Sequence, residues 1–144
     1  MPFLPLLFVG GVATWYLLRM RSLGTNINFI FRNIRVKGGS LLQPNLEITI
    51  GAQNPTNQAA SLKSLVGSID YQGKTIANFS TFDQVLIQGN TETIIKIIAV
   101  PNVISVLNVI KQIIINRQPG KVISITGKAN VNNIVVPFNS SFQF

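Results

Sequence analysis

The spacing of apolar and polar residues changes character once along this chain. Met1 to Leu18 read MPFLPLLFVGGVATWYLL, with no charged side chain, and Arg19-Met20-Arg21 closes the run. Beyond it, Ile27, Phe29 and Phe31 alternate with Asn28, Ile30 and Arg32, a period of two that predicts a strand. Ile34 and Val36 continue in a shifted phase, which predicts a bulge near Asn33. Gly38-Gly39 predicts a turn. Leu46, Ile48 and Ile50 alternate with Glu47 and Thr49 in a half-buried strand that ends at Asn54-Pro55-Thr56-Asn57. Leu62 to Tyr71 and Thr75 to Phe79 flank Gln72-Gly73-Lys74, the signature of a hairpin. Val85 to Ile87 predicts a short strand. Thr91 to Val100, rich in isoleucine, reads as a strand buried on both faces or covered by a helix.

One later segment breaks the period of two. Val103, Val106, Leu107, Ile110, Ile113 and Ile114 follow helical spacing, with Ser105, Asn108, Lys111 and Gln112 on the other face. This predicts a helix over 102–116, started at Pro101 or Asn102 and stopped by Pro119-Gly120. Its β-branched residues form helix weakly by themselves, so packing on the sheet must hold it. Val122 to Thr126 and Ile134 to Phe142 complete the strands, joined near Asn130 to Asn133. The expected fold is mainly β: an antiparallel β-sandwich, fibronectin type III- or immunoglobulin-like, with one crossover helix. An N-terminal transmembrane helix over 1–23 precedes this domain, which occupies 24–144.

The expectation for 1–23 rests on length and flanks. Phe3 to Leu18 makes roughly 24 Å of helix, against about 30 Å of hydrocarbon. Arg19 and Arg21 can snorkel to the phosphates and lengthen the apolar part. Trp15 and Tyr16 stand where an interfacial aromatic belt would. These four residues are the candidate membrane-interface positions. A helix buried in an assembly and a cleaved signal peptide are the competing readings, and the absence of a basic n-region argues against the second. The anchor would hold the domain at a cell membrane or at the internal membrane of a virus.

Charge adds a second candidate surface. The net charge is +8, and residues 1–46 hold Arg19, Arg21, Arg32, Arg35 and Lys37 with no acid. Arg32, Arg35 and Lys37 are therefore candidate contacts to an anionic surface, with solvated strand positions as the alternative. Nucleic acid is the least favoured partner, because the aromatics fall in strand contexts and are not interleaved with basic residues.

The residue inventory disfavours catalysis. There is no histidine and no cysteine, so no Ser–His–Asp or Cys–His arrangement, no disulfide and no thiolate metal site. The acids Glu47, Asp70, Asp83 and Glu92 are scattered, which suits neither paired-carboxylate chemistry nor a metal. No phosphate loop is present. The sequence thus predicts a non-enzymatic protein with no cofactor, no metal and no small-molecule substrate.

LEITIGAQNPT over 46–56, then SLKSLVGSIDYQGKTIA over 61–77, then Pro101, the segment 102–116 and Val136-Pro137-Phe138 follow one another in order. This series resembles the late embryogenesis abundant type 2 family, also called the WHy domain, over about 46–138. The resemblance implies a fibronectin type III-like sandwich, frequent N-terminal anchors and no catalytic residues. It leaves two functional expectations. The first is a membrane-anchored structural or interaction protein, in one version a minor virion protein of a membrane-containing phage that links membrane and shell. Its partners would be the lipid bilayer and other structural proteins or copies of itself. The alternative is a cellular WHy-type stress-protection or lipid-binding module.

Overall fold

The computed structural model of the protein describes residues 26–40, 44–101 and 107–144. The expected helix over 1–23, with Trp15, Tyr16, Arg19 and Arg21, lies outside the described residues. So does the start of the helix expected over 102–116. The strands are β1 (Asn28–Gly39), β2 (Pro44–Asn54), β3 (Ala60–Tyr71), β4 (Lys74–Thr81), β5 (Val85–Ile87), β6 (Thr91–Pro101), β7 (Val122–Val131) and β8 (Ile134–Gln143). A short helix, α1 (Leu107–Val109), runs on into a wider π-helical segment, Ile110–Ile115.

All described pairings are antiparallel, in the order β1-β2-β6-β4-β3-β7-β8, with β5 added to β3. The expected mainly-β antiparallel class with one helix is what the structure has. The expected two-layer sandwich is instead one curled sheet. The reason lies in two seams. At the first, β4 and β6 stay paired over Ala77–Phe79 and Ala99–Pro101, which joins the two halves. At the second, the outermost strands β1 and β8 approach without a ladder. There the Phe31 amide donates to Ser140 Oγ (2.9 Å), and Phe29–Phe138 and Phe31–Phe142 ring pairs lie 5.4 and 5.7 Å apart.

Arg117 fastens this second seam. Its guanidinium donates to the Ile34 carbonyl (3.1 Å) and to Asn33 Oδ1 (3.2 Å) on the β1 side. It also stands over the Phe144 and Phe142 rings, at 5.0 and 5.8 Å from their centroids.

Alternation fills the inside of the curl. Phe29, Phe31, Ile34, Leu46, Ile48, Ile50, Leu62, Leu65, Ile69, Ile95, Ile97, Ile123 and Ile125 are all buried there. Ile110, Ile113 and Ile114 of the helical segment join the same core. Two opposed glycines, Gly67 on β3 and Gly127 on β7, leave room for rings on the backbone. A Cβ at Gly127 would collide with the Val66 carbonyl and lie 2.8 Å from Phe138 Cζ.

Turn chemistry follows the sequence. Gln72 and Gly73 both have positive φ (51° and 78°), as the tight β3–β4 hairpin requires. Asn132 and Asn133 do the same between β7 and β8. The expected bulge appears as a register shift between Phe31 and Asn33.

Candidate functional site

Strand alternation puts Asn28, Ile30, Arg32, Arg35 and Lys37 of β1 on the outside of the curl, beside Glu47, Thr49, Gly51 and Gln53 of β2. Register aligns these with Glu92, Ile94, Lys96 and Ile98 of β6 in rows across the strands. One row is Asn28–Gln53–Glu92, the next Ile30–Gly51–Ile94, then Asn33–Thr49–Lys96, then Arg35–Glu47–Ile98. Val100 extends the β6 stripe.

All three sequence-predicted cations, Arg32, Arg35 and Lys37, lie on this face, and each is engaged by a carboxylate. Glu47 accepts from Arg35 through Nε and Nη2 (both 2.9 Å) and from Lys37 Nζ (3.0 Å), while itself buried. Arg32 pairs with Glu92 through Nη2 and through Nε (3.2 Å), and Gln53 Nε2 donates to the same carboxylate (3.1 Å). Hydrogen bonding from Lys37, then from Arg35, holds the Glu47 carboxyl below the usual carboxylate range against the desolvation of its site. Arg32 and then Gln53 do the same for Glu92, and Glu92 in turn raises Arg32. Gly51 makes the second arrangement fit, since a Cβ there would lie 2.5 Å from Glu92 Cδ.

Lys96 is the cation that sequence reasoning passed over. It is exposed and has no ion pair among the described residues. Around it on β6, Ile94, Ile98 and Val100 are exposed by 51%, 44% and 60%. The strand expected to be buried on both faces or covered by a helix is buried on one face, through Ile95, Ile97 and Ala99, and exposed on the other. The signal was in Thr91 to Val100 itself. A lysine at the centre of an apolar run cannot be buried unpaired, so its face must open to solvent. Among the described residues β6 is also open along most of one side: β2 pairs with it from Leu46↔Ala99 through Asn54↔Thr91, whereas β4 reaches only Ala99–Pro101.

At one end of this face, Asn26, Asn28, Gln53, Asn54, Pro55, Thr91 and Glu92 line an open cleft of about 480 Å³. Its polar groups largely satisfy one another. Asn54 accepts from the Thr56 amide (3.0 Å) and hydroxyl (2.6 Å) and donates to the Gln58 carbonyl (2.7 Å), which locks the Asn54-Pro55 turn. Glu92 is held by Arg32 and Gln53. Asp70, on the other half of the sheet, accepts from Thr75 Oγ1 (2.8 Å). Among the described residues no group of acids could hold a metal ion. Nor is any helix among them long and apolar enough to cross a membrane.

No protein-family model matches the sequence, and no curated protein does. Solved structures match the fold. A protein from Arabidopsis thaliana, determined in solution, is similar at 10% identity and a TM-score of 0.55, over 79% of this chain and 78% of that one. A crystal structure from Archaeoglobus fulgidus is similar at 13% identity and a TM-score of 0.47, over 79% and 97%. A solution structure of a protein described as a candidate late embryogenesis abundant protein is similar at 12% identity and a TM-score of 0.47, over 94% and 83%. The first of these, with its TM-score above 0.5, speaks to the fold alone, and none carries a ligand or activity across.

Proposed function

We propose that this protein is a non-enzymatic, lipid-binding module of the WHy type, held at a membrane by residues 1–23. The observation that carries this reading is the bare stripe Ile94, Ile98 and Val100 on β6. Apolar side chains gathered on one face and rimmed by polar residues offer a contact surface. Two further features agree with it. The ordered WHy-like series over 46–138 runs through both halves of the sheet, with Asn54 locking the turn after β2 at one end of this face and Gln72-Gly73 forming the β3–β4 hairpin of the other half. The residues brought together on the face are salt-bridged cations and aliphatic groups, with no proton carrier or nucleophile set among them.

Magnitudes assign roles to the two parts. Each of the three side chains is about half exposed, so covering it would gain roughly 1 kcal/mol. Together they give about 3 kcal/mol, short of the ~4 kcal/mol of a millimolar interaction. The stripe alone cannot hold the protein on a bilayer, and it needs a second signal. The uncharged segment Met1–Leu18, closed by Arg19 and Arg21, would supply it.

Flotation of the full chain with lipid vesicles tests the reading. The protein is expected to float with the vesicles, to stay with them in 1 M salt and to leave only with detergent. Release by salt alone would show purely electrostatic adsorption and defeat the proposal.

A further inference from the structure

The bare stripe and the unpaired cation lie on one face, and that face has a sign. Among the described residues it carries Arg32, Arg35, Lys37 and Lys96 against Glu47 and Glu92. Both carboxylates are already saturated by cations of the same face, so what the face offers outward is positive charge and aliphatic surface. Ile94 and Ile98 stand about 13 Å apart along β6, with Lys96 midway. A lysine between two isoleucines can lay its stem along them and raise its ammonium by snorkelling.

We propose that this face of β6 lies against an anionic lipid surface, with Ile94, Ile98 and Val100 entering the apolar boundary and Lys96 meeting a headgroup phosphate. The proposal rests on the membrane-held reading above and adds which side of the domain faces the lipid. Charge complementarity selects this occupant over two others. A second copy paired edge to edge so that Ile94 met Ile98 would set Lys96 against Lys96, like charges directly opposed. A nucleic acid would use stacking platforms, and among the described residues no aromatic stands on this face: Phe29 and Phe31 of β1 point into the core.

The absence of cysteine makes the test direct, because one introduced thiol can be labelled alone. Full-length I98C and I94C would carry a polarity-sensitive fluorophore, with T126C, on the opposite half of the sheet, as reference. Each would be mixed with phosphatidylglycerol–phosphatidylcholine vesicles, or phosphatidylcholine vesicles alone, doped with brominated lipid. Labels at 94 and 98 are expected to shift to the blue and be quenched on the anionic vesicles, with the label at 126 unchanged. Adding K96Q is expected to cut that quenching about fivefold, as for losing one lysine at a charged surface. Equal quenching at 98 and 126 would overturn the orientation while flotation still upheld membrane attachment. A label at 98 already shielded before vesicles are added would assign the face to the chain's own N-terminal segment or to a second copy, and overturn it too. Equal quenching on neutral vesicles would remove the headgroup contact.

Discussion

The solvent side of the β1-β2-β6 half carries paired cations and carboxylates and a run of aliphatic residues, whereas that of the β4-β3-β7-β8 half carries mainly hydroxyls and amides, Ser68, Asn78, Ser80, Ser124, Thr126 and Asn139, with Asp70 and Lys128 among them. On the second half the hydroxyls and amides meet one another, as in the Ser124–Ser141 contact of 3.0 Å. Its exposed valines are dispersed among polar neighbours. Val66 sits opposite Ser80 and Lys128, Val122 opposite Gln143, and Val135 opposite Asn130. On the first half Ile94, Ile98 and Val100 fall on a single strand, which has no β4 partner among the described residues at Ile94 and Ile98 and meets Asn78 of β4 at Val100. Scattered apolar residues need no explanation, but three half-exposed ones on one face of one strand, with a lysine among them, do. The two halves share one core and one construction, so the difference between their outer faces is the part of the molecule that speaks of function.

The largest effects should show that the comparison concerns the outside alone. Ile48 on β2 and Ile125 on β7 are fully buried in the common core. Ile48→Ala and Ile125→Ala are each expected to cost about 2–5 kcal/mol in urea unfolding. A single transition in both would confirm that the halves fold together. Two separated transitions in either variant would break the comparison, because the halves would then be independent bodies.

A smaller effect separates the halves by what their glycines touch. At Gly127 an added methyl meets the Val66 carbonyl, which is backbone and cannot move away. At Gly51 it meets the Glu92 carboxylate, the end of a flexible side chain. Gly127→Ala is expected to cost about 1–3 kcal/mol, and Gly51→Ala under about 1 kcal/mol. Reversed costs, measured by thermal unfolding, would mean that the Glu92 cluster is as rigid as the backbone.

The smallest effect is the response to acid. Glu47 and Glu92 have folded pKa values below their unfolded ones. Their contribution to stability is therefore complete above the ordinary glutamate range near pH 4.5, and is lost as pH falls through the depressed folded values. The urea midpoint should drop as pH falls below the ordinary glutamate range. E47Q/E92Q should lose part of that drop, and an unchanged slope in the double variant would take these pairs out of the acid response.

Much of the frame was legible in short-range pattern. The bulge near Asn33, the Gln72-Gly73 hairpin, the Asn54-Pro55 turn and the short strand Val85–Ile87 depend on neighbours within a few residues, and each appears where the spacing put it. Arg32, Arg35 and Lys37 were legible as a basic group, but their partners were not. Arg32 meets Glu92 sixty positions away, a contact that only the β1-β2-β6 order creates. Arg117 gave no local signal, because its role depends on Asn33, Ile34, Phe142 and Phe144 meeting at the seam. The reading of Thr91 to Val100 as buried on both faces or covered by a helix failed for the same reason. Burial of its second face depended on which strand or helix would cover it, and none among the described residues does.

The sequence by itself determined the antiparallel β class, the turns, the uncharged opening segment and an inventory poor in catalytic groups, since these follow from residue type and spacing. Tertiary structure decided three things. The strands curl into one sheet with two seams, because β4 holds β6 over three residues and β1 meets β8 through side chains. The basic group is neutralised in part by Glu47 and Glu92. The isoleucine strand keeps Ile94, Ile98, Val100 and Lys96 in solvent. Alternation says that a strand has two faces, but only the packing of its neighbours decides which of them is left bare.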